Sequence, residues 1–99
     1  MAYEQGMLEM ALAAAVGNDP ALVLELRTAF LDSAEANFGQ LVAVTNKLDW
    51  ELGALRLKGL AASFGAEDLL RAAERLGGAP FGDKDALAAV RAELNAIAA

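Results

Sequence analysis

Apolar residues recur along the chain at intervals of three and four, the spacing of helices that bury one face. Five such segments follow one another. The first, roughly residues 3–16, gathers Met7, Leu8, Ala11, Leu12 and Ala15 on one side. "GNDP" ends it, with Asp19 placed to cap the next helix and Pro20 in its first turn. That second helix runs to about Thr45 on a stripe of Leu22, Leu26, Ala29, Phe30, Ser33, Leu41 and Val44. "TNKLD" breaks it, and Asp49 is the expected cap of a third helix. Its core side carries Gly53, Leu57, Leu60 and Phe64.

In "FGAED", Gly65 reads as the C-cap of this third helix. A fourth helix, about 66–76, stops at Gly77 and Gly78. After the loop "GGAPFGD", Asp83 caps a last helix with Leu87, Val90, Leu94 and Ile97. No alternating run suggests a strand, and no repeat is present. The expectation is an all-α, antiparallel four-helix bundle over a single domain, 1–99, with the short first helix as a lid over one end. Leu26, Phe30, Leu57, Leu60, Phe64, Val90 and Leu94 should share the core, and Trp50 should anchor an end of the bundle. Leu24, Leu31 and Phe38, spaced by seven, form a further line that packs the lid or serves as a seam between copies.

One residue does not fit its face. Leu55 falls opposite the core stripe, among Glu51 and Lys58 and beside Gly59 and Ala62. An isolated surface leucine needs no explanation. The other readings are a helix buried on both sides by dimerisation and a docking face for another protein.

Composition removes much of the remaining chemistry. The 99 residues are 57% apolar and carry a net charge of −6 with no basic stripe, which argues against nucleic acid and anionic lipid. Cysteine and histidine are both absent. Their absence removes disulfides, thiol chemistry, the usual zinc and haem ligand sets, Ser–His and Cys–His pairs, and phosphohistidine. The opening "MAYEQGMLEM" lacks the basic start of a signal peptide, and "ALAAAVG" is too short to span a membrane. A soluble, cytoplasmic protein without cofactor or metal is the expectation.

Little that is left looks catalytic. Asp19, Asp49 and Asp83 each precede a helix and read as caps. Glu67–Asp68 and Asp83–Asp85 match no calcium loop and read as first-turn acids that complement helix dipoles. Lys58 and Ser63, five positions apart on one helix, point too far apart for a Ser–Lys dyad. Gly77–Gly78 leads to Pro80 and reads as punctuation, not as a phosphate loop.

"ALRLKGLAASFGAEDL" resembles the signature helix of histidine-containing phosphotransfer (HPt) domains, which runs Ala-His-x-Leu-Lys-Gly, small residues, Gly-Ala, then an acidic, leucine-rich helix. Ala54, Leu57, Lys58, Gly59, Ala61, Gly65 and Ala66 match, and Leu55 occupies the position of the phosphoacceptor histidine. "NDPALVLELRTAFLDSAEANFGQL" is similar to the family's preceding helix, so the resemblance covers most of the chain. Besides the missing histidine, the run from Trp50 to Leu55 is about one turn shorter than is usual in the family.

The resemblance implies a bundle whose mid-helix position 55 faces solvent to meet a response-regulator receiver domain. It also implies a lysine that offers positive charge to the phosphoryl oxygens and a glycine that leaves room for approach. Lys58 and Gly59 keep that setting, whereas Leu55 has no lone pair with which to accept phosphate. The expectation is a non-enzymatic pseudo-HPt module that docks a receiver domain or a histidine kinase through Leu55, Arg56, Lys58, Gly59 and Ala62. The alternative, from a different class, is a self-associating structural bundle with the Leu55 face as a homodimer seam.

Overall fold

The computed structural model describes Gly17 and residues 19–99, and these residues form four helices with no strand among them. They are α1 (Pro20–Val42), α2 (Lys47–Phe64), α3 (Glu67–Gly78) and α4 (Lys84–Ala98). The lid expected over residues 3–16 lies outside the described residues. Links of a few residues join successive helices. Each helix packs on the next, and α4 closes back on α1, giving a four-helix bundle in which α4 is diagonal to α2.

Local chemistry accounts for most of the boundaries. The Asp19 carboxylate accepts from Ala21 N (3.0 Å) and Leu22 N (3.4 Å), and Pro20 follows it at the first helical position. Asp83 caps α4 by accepting from Ala86 N at 2.9 Å. Gly65 ends α2 in the left-handed conformation (φ 71°). There Gly65 N donates to Ala62 O and Ala66 N to Ala61 O, the paired bonds of a Schellman motif, and Ala61 and Ala66 are both buried.

Three boundaries differ from the sequence expectation. Helix α1 stops at Val42, short of Thr45. The cap of α2 is Asn46, not Asp49. Asn46 Oδ1 accepts from Asp49 N at 2.8 Å, and Asn46 Nδ2 donates to the Asp49 carboxylate at 2.9 Å. Asp49 is thus the responding residue of the first turn, and the extended backbone of Asn46 (φ −148°, ψ 162°) requires α1 to have ended already. Helix α3 begins at Glu67 and runs through Gly77 and Gly78. What stops it is Pro80, which holds Ala79 in extended backbone (φ −85°, ψ 159°).

The core is built from large residues of all four helices and an unusual share of alanine. Phe30, Leu41, Trp50, Leu57, Leu69, Leu76, Val90, Leu94 and Ile97 are fully buried, with Ala34, Ala54, Ala61, Ala73 and Ala86 between them. Phe30, Leu57, Val90 and Leu94 lie where expected, but Leu26, Leu60 and Phe64 are only half-buried against this cluster. The α1 stripe is also rotated. Leu22, Ala29 and Ser33 are exposed, and Ala34 and Phe38 point inward. Small residues let the helices come close at two points. A Cβ on Gly53 would lie 3.1 Å from the Leu41 side chain, and one on Gly77 would lie 3.4 Å from the Ala54 Cβ.

Polar contacts fasten the bundle at its edges. Trp50 is the expected anchor: its indole N–H donates to Leu76 O at 2.8 Å, and Phe81 meets its ring edge-on at 5.7 Å. Arg27 donates to the Ile97 carbonyl in the last turn of α4. Arg91 forms a two-pronged pair with Glu35, both contacts at 2.9 Å, and its guanidinium lies 5.0 Å from the Phe38 ring centroid.

Candidate functional site

Helix α2 is buried along Trp50, Gly53, Ala54, Leu57 and Ala61, which turns Leu55 fully outward. Leu55 is the ninth of eighteen residues, at the centre of the helix and far from both capped ends, and it is 62% exposed. Starting α2 at Lys47, directly after the Asn46 cap, produces this central placement despite the short run from Trp50.

Leu55 borders a cleft of about 240 Å³ between α2 and α3, with Glu51, Lys58, Ala73, Glu74 and Gly77 among its other lining residues. Lys58 Nζ reaches across this cleft to Glu74 Oε2 at 3.2 Å. On the other side of the ridge, Leu52 and Arg56 border a cleft of about 280 Å³ against α1, with Asn37, Gln40 and Asp49. The exposed face of α2 is therefore a raised apolar ridge between two polar-edged grooves.

The predicted site residues come together on this ridge. Leu55, Arg56, Gly59 and Ala62 are exposed, and Lys58 is half-buried beside them. Sequence reasoning missed two members. Leu48 is 64% exposed and Leu52 42% exposed, and they lie on the same face two turns and one turn before Leu55, respectively. Their spacing with Leu55 was the available signal; placing the helix start at Asp49 hid it by assigning Leu48 to the preceding break.

Gly59 has no internal reason to be glycine. A Cβ there would meet nothing within 4 Å. Glycine in a helix interior is less stable than alanine by about 0.5–1 kcal/mol, so Gly59 weakens the isolated chain. Gly53 and Gly77, by contrast, face neighbouring helices closely.

Chemically, the Leu55 cleft offers two carboxylates and one ammonium group that is already paired with one of them. Ser63 Oγ donates to the Gly59 carbonyl at 2.9 Å and turns away from Lys58. Glu67 and Asp68 sit in the first turn of α3 and pair with Arg71. Among the described residues, no group of three or more His, Cys, Asp or Glu side chains is placed to hold a metal ion. The Glu35 carboxyl is held below its ordinary range by the hydrogen bonds from Arg91, and the guanidinium is raised by the same bonds. That pair joins α1 to α4, away from the ridge.

Among the described residues, no helix is long and apolar enough to cross a membrane. No protein family, curated protein or solved structure matches the chain.

Proposed function

We propose that the chain is a cytoplasmic pseudo-HPt module that docks a response-regulator receiver domain or a histidine kinase through the α2 ridge and transfers no phosphate. The observation that carries this reading is the pairing of Leu55 and Gly59 on one exposed turn. Leucine at 62% exposure leaves apolar surface in water, and Gly59 forgoes helix stability with open space around it. Neither choice benefits the isolated bundle, and both suit a partner that seats on Leu55 and approaches the backbone of Gly59. The resemblance of "ALRLKG" to the HPt signature supplies the class of partner.

In this reading Leu55 fills the partner's reactive pocket with an inert side chain. Lys58 and Arg56 supply positive charge at the rim, suited to the acidic pocket of a receiver, while Ala62 extends the flat contact. Regulation follows from occupancy: a docked receiver is withheld from genuine phosphotransfer.

The test is direct binding by titration calorimetry between the purified chain and purified receiver and kinase domains. Leu55→Asp should weaken binding about 10- to 100-fold, as truncating an interface centre does, while the thermal unfolding curve stays in place. A partner bound equally well by Leu55→Asp would remove the ridge from the interface and end this reading.

A further inference from the structure

The exposed residues of α2 have an order that a receiver does not require. Leu48, Leu52, Leu55, Gly59 and Ala62 alternate in steps of four and three, the spacing of a helix that packs lengthwise on another helix. All five are exposed, while Trp50 and Leu57 hold the opposite, inward positions.

The charges that flank this seam are complementary to themselves. Glu51 and Lys58 lie along one side of it, Asp49 and Arg56 along the other. Two antiparallel copies of α2, in the register that sets Leu52 against the partner's Leu55, place Glu51 opposite the partner's Lys58. The same register places Asp49 opposite the partner's Arg56. Two-fold symmetry repeats both contacts, so four opposite-charge pairs form and no like charges meet. Leu48 then faces the partner's Gly59, a large side chain over a bare backbone. A parallel pair is poorer: it leaves Gly59 facing the partner's Gly59 across a gap and matches only Glu51 with the partner's Arg56. Among the described residues, neither Glu51 nor Arg56 has an ion-pair partner within its own chain, and Lys58 has Glu74.

We infer that α2 packs antiparallel on α2 of a second copy, forming a symmetric dimer that covers the docking ridge. The pairing stands on the seam alone; its consequence, that self-association competes with receiver or kinase binding, rests on the docking reading above. The net charge of −6 on each copy opposes association, and one helix face is a small interface, so the dimer exchanges readily.

Sedimentation equilibrium of the purified full chain tests the pairing without any partner. A dimer should be populated at concentrations on the order of 100 µM, as for small transient interfaces. Leu55→Asp and Leu52→Ser should each leave a monomer with an unchanged circular dichroism spectrum. In a Glu74→Gln background, which removes the internal ion pair from consideration, Glu51→Lys and Lys58→Glu should each weaken the dimer several-fold. Combining the two should restore it. A monomer at all concentrations overturns the inference, as does a dimer unaffected by both ridge substitutions. Restoration by Glu51→Lys with Arg56→Glu instead overturns the antiparallel arrangement. Loss of receiver and kinase binding with an intact dimer would count against docking only, and binding by a strict monomer against the dimer only.

Discussion

Lys58 and Glu74 face each other across the α2–α3 cleft at 3.2 Å, so the cation one turn beyond Leu55 is engaged from a neighbouring helix. Both side chains are more than two-fifths exposed, and the pair contributes under about 1 kcal/mol to folding. Its larger consequence is for docking. Glu74→Gln should release Lys58 toward an acidic partner and tighten binding a few-fold at low salt, with the gain fading as ionic strength rises. Calorimetric titrations at two salt concentrations measure it; a salt-independent change would place Glu74 in direct contact with the partner.

Phosphoryl transfer should fail at this site for a simple reason: no imidazole is present anywhere in the chain. Incubation with a phosphorylated receiver or an active kinase should leave no acid-labile label. Leu55→His combined with Glu74→Gln restores a nitrogen lone pair and frees the ammonium beside it. This double variant should acquire label where Leu55→His alone acquires less, read by phosphate-affinity electrophoresis before and after acid treatment. A phosphoramidate on the unmodified chain would refute the pseudo-HPt reading.

Core truncations should separate two leucines three residues apart. Leu57 is wholly buried, and Leu57→Ala should destabilise by roughly 2–5 kcal/mol. Leu60 is half-buried, and Leu60→Ala should cost about half as much or less. Urea unfolding of the two variants decides the order, and the reverse order would mean that α2 is rotated from the orientation described.

The glycines of α2 should respond differently to alanine. Gly59→Ala adds a methyl group in open space and should stabilise by about 0.5–1 kcal/mol. Gly53→Ala presses its methyl against Leu41 and should gain less than that or lose stability. If Gly59 exists for close approach, the stabilised variant should also bind its partner more weakly. A Gly59→Ala protein that is more stable and binds equally well would show that the bare backbone serves no partner.

Acid should release the α1–α4 clamp. The folded-state pKa of Glu35 is depressed by the Arg91 hydrogen bonds, so its contribution is present above the ordinary value of 4.5 and is lost as pH falls through the depressed one. Because both side chains are about two-fifths exposed, the effect should stay below about 1 kcal/mol. Glu35→Gln should flatten the stability profile on the acid side of 4.5, with little change in its shape at higher pH. A profile identical to that of the parent chain would show that the pair is open in solution.

Residues whose role is settled within a few positions were readable from the amino-acid order alone. Asp19 before Pro20, Asp83 before α4 and Gly65 after α2 act on their own helix ends, and each does what its local chemistry dictates. The helical class of the bundle and the outward position of Leu55 follow from periodicity, which depends only on spacing. At the start of α2, Asn46 takes the cap and Asp49 answers it from the first turn, through two local bonds that hydrophobic spacing alone does not register. The exact turn of each helix about its axis was decided by packing. Gly77 lies against Ala54 where α3 meets α2, and hydropathy weighs such small residues too lightly to predict the contact. That rotation buries Leu57 more than Leu60. The earlier start of α2 puts Leu48 on the ridge, in line with Leu52 and Leu55. A helix's apolar periodicity belongs to the sequence, but which degree of its circumference meets a neighbour depends on the shapes of both surfaces at once.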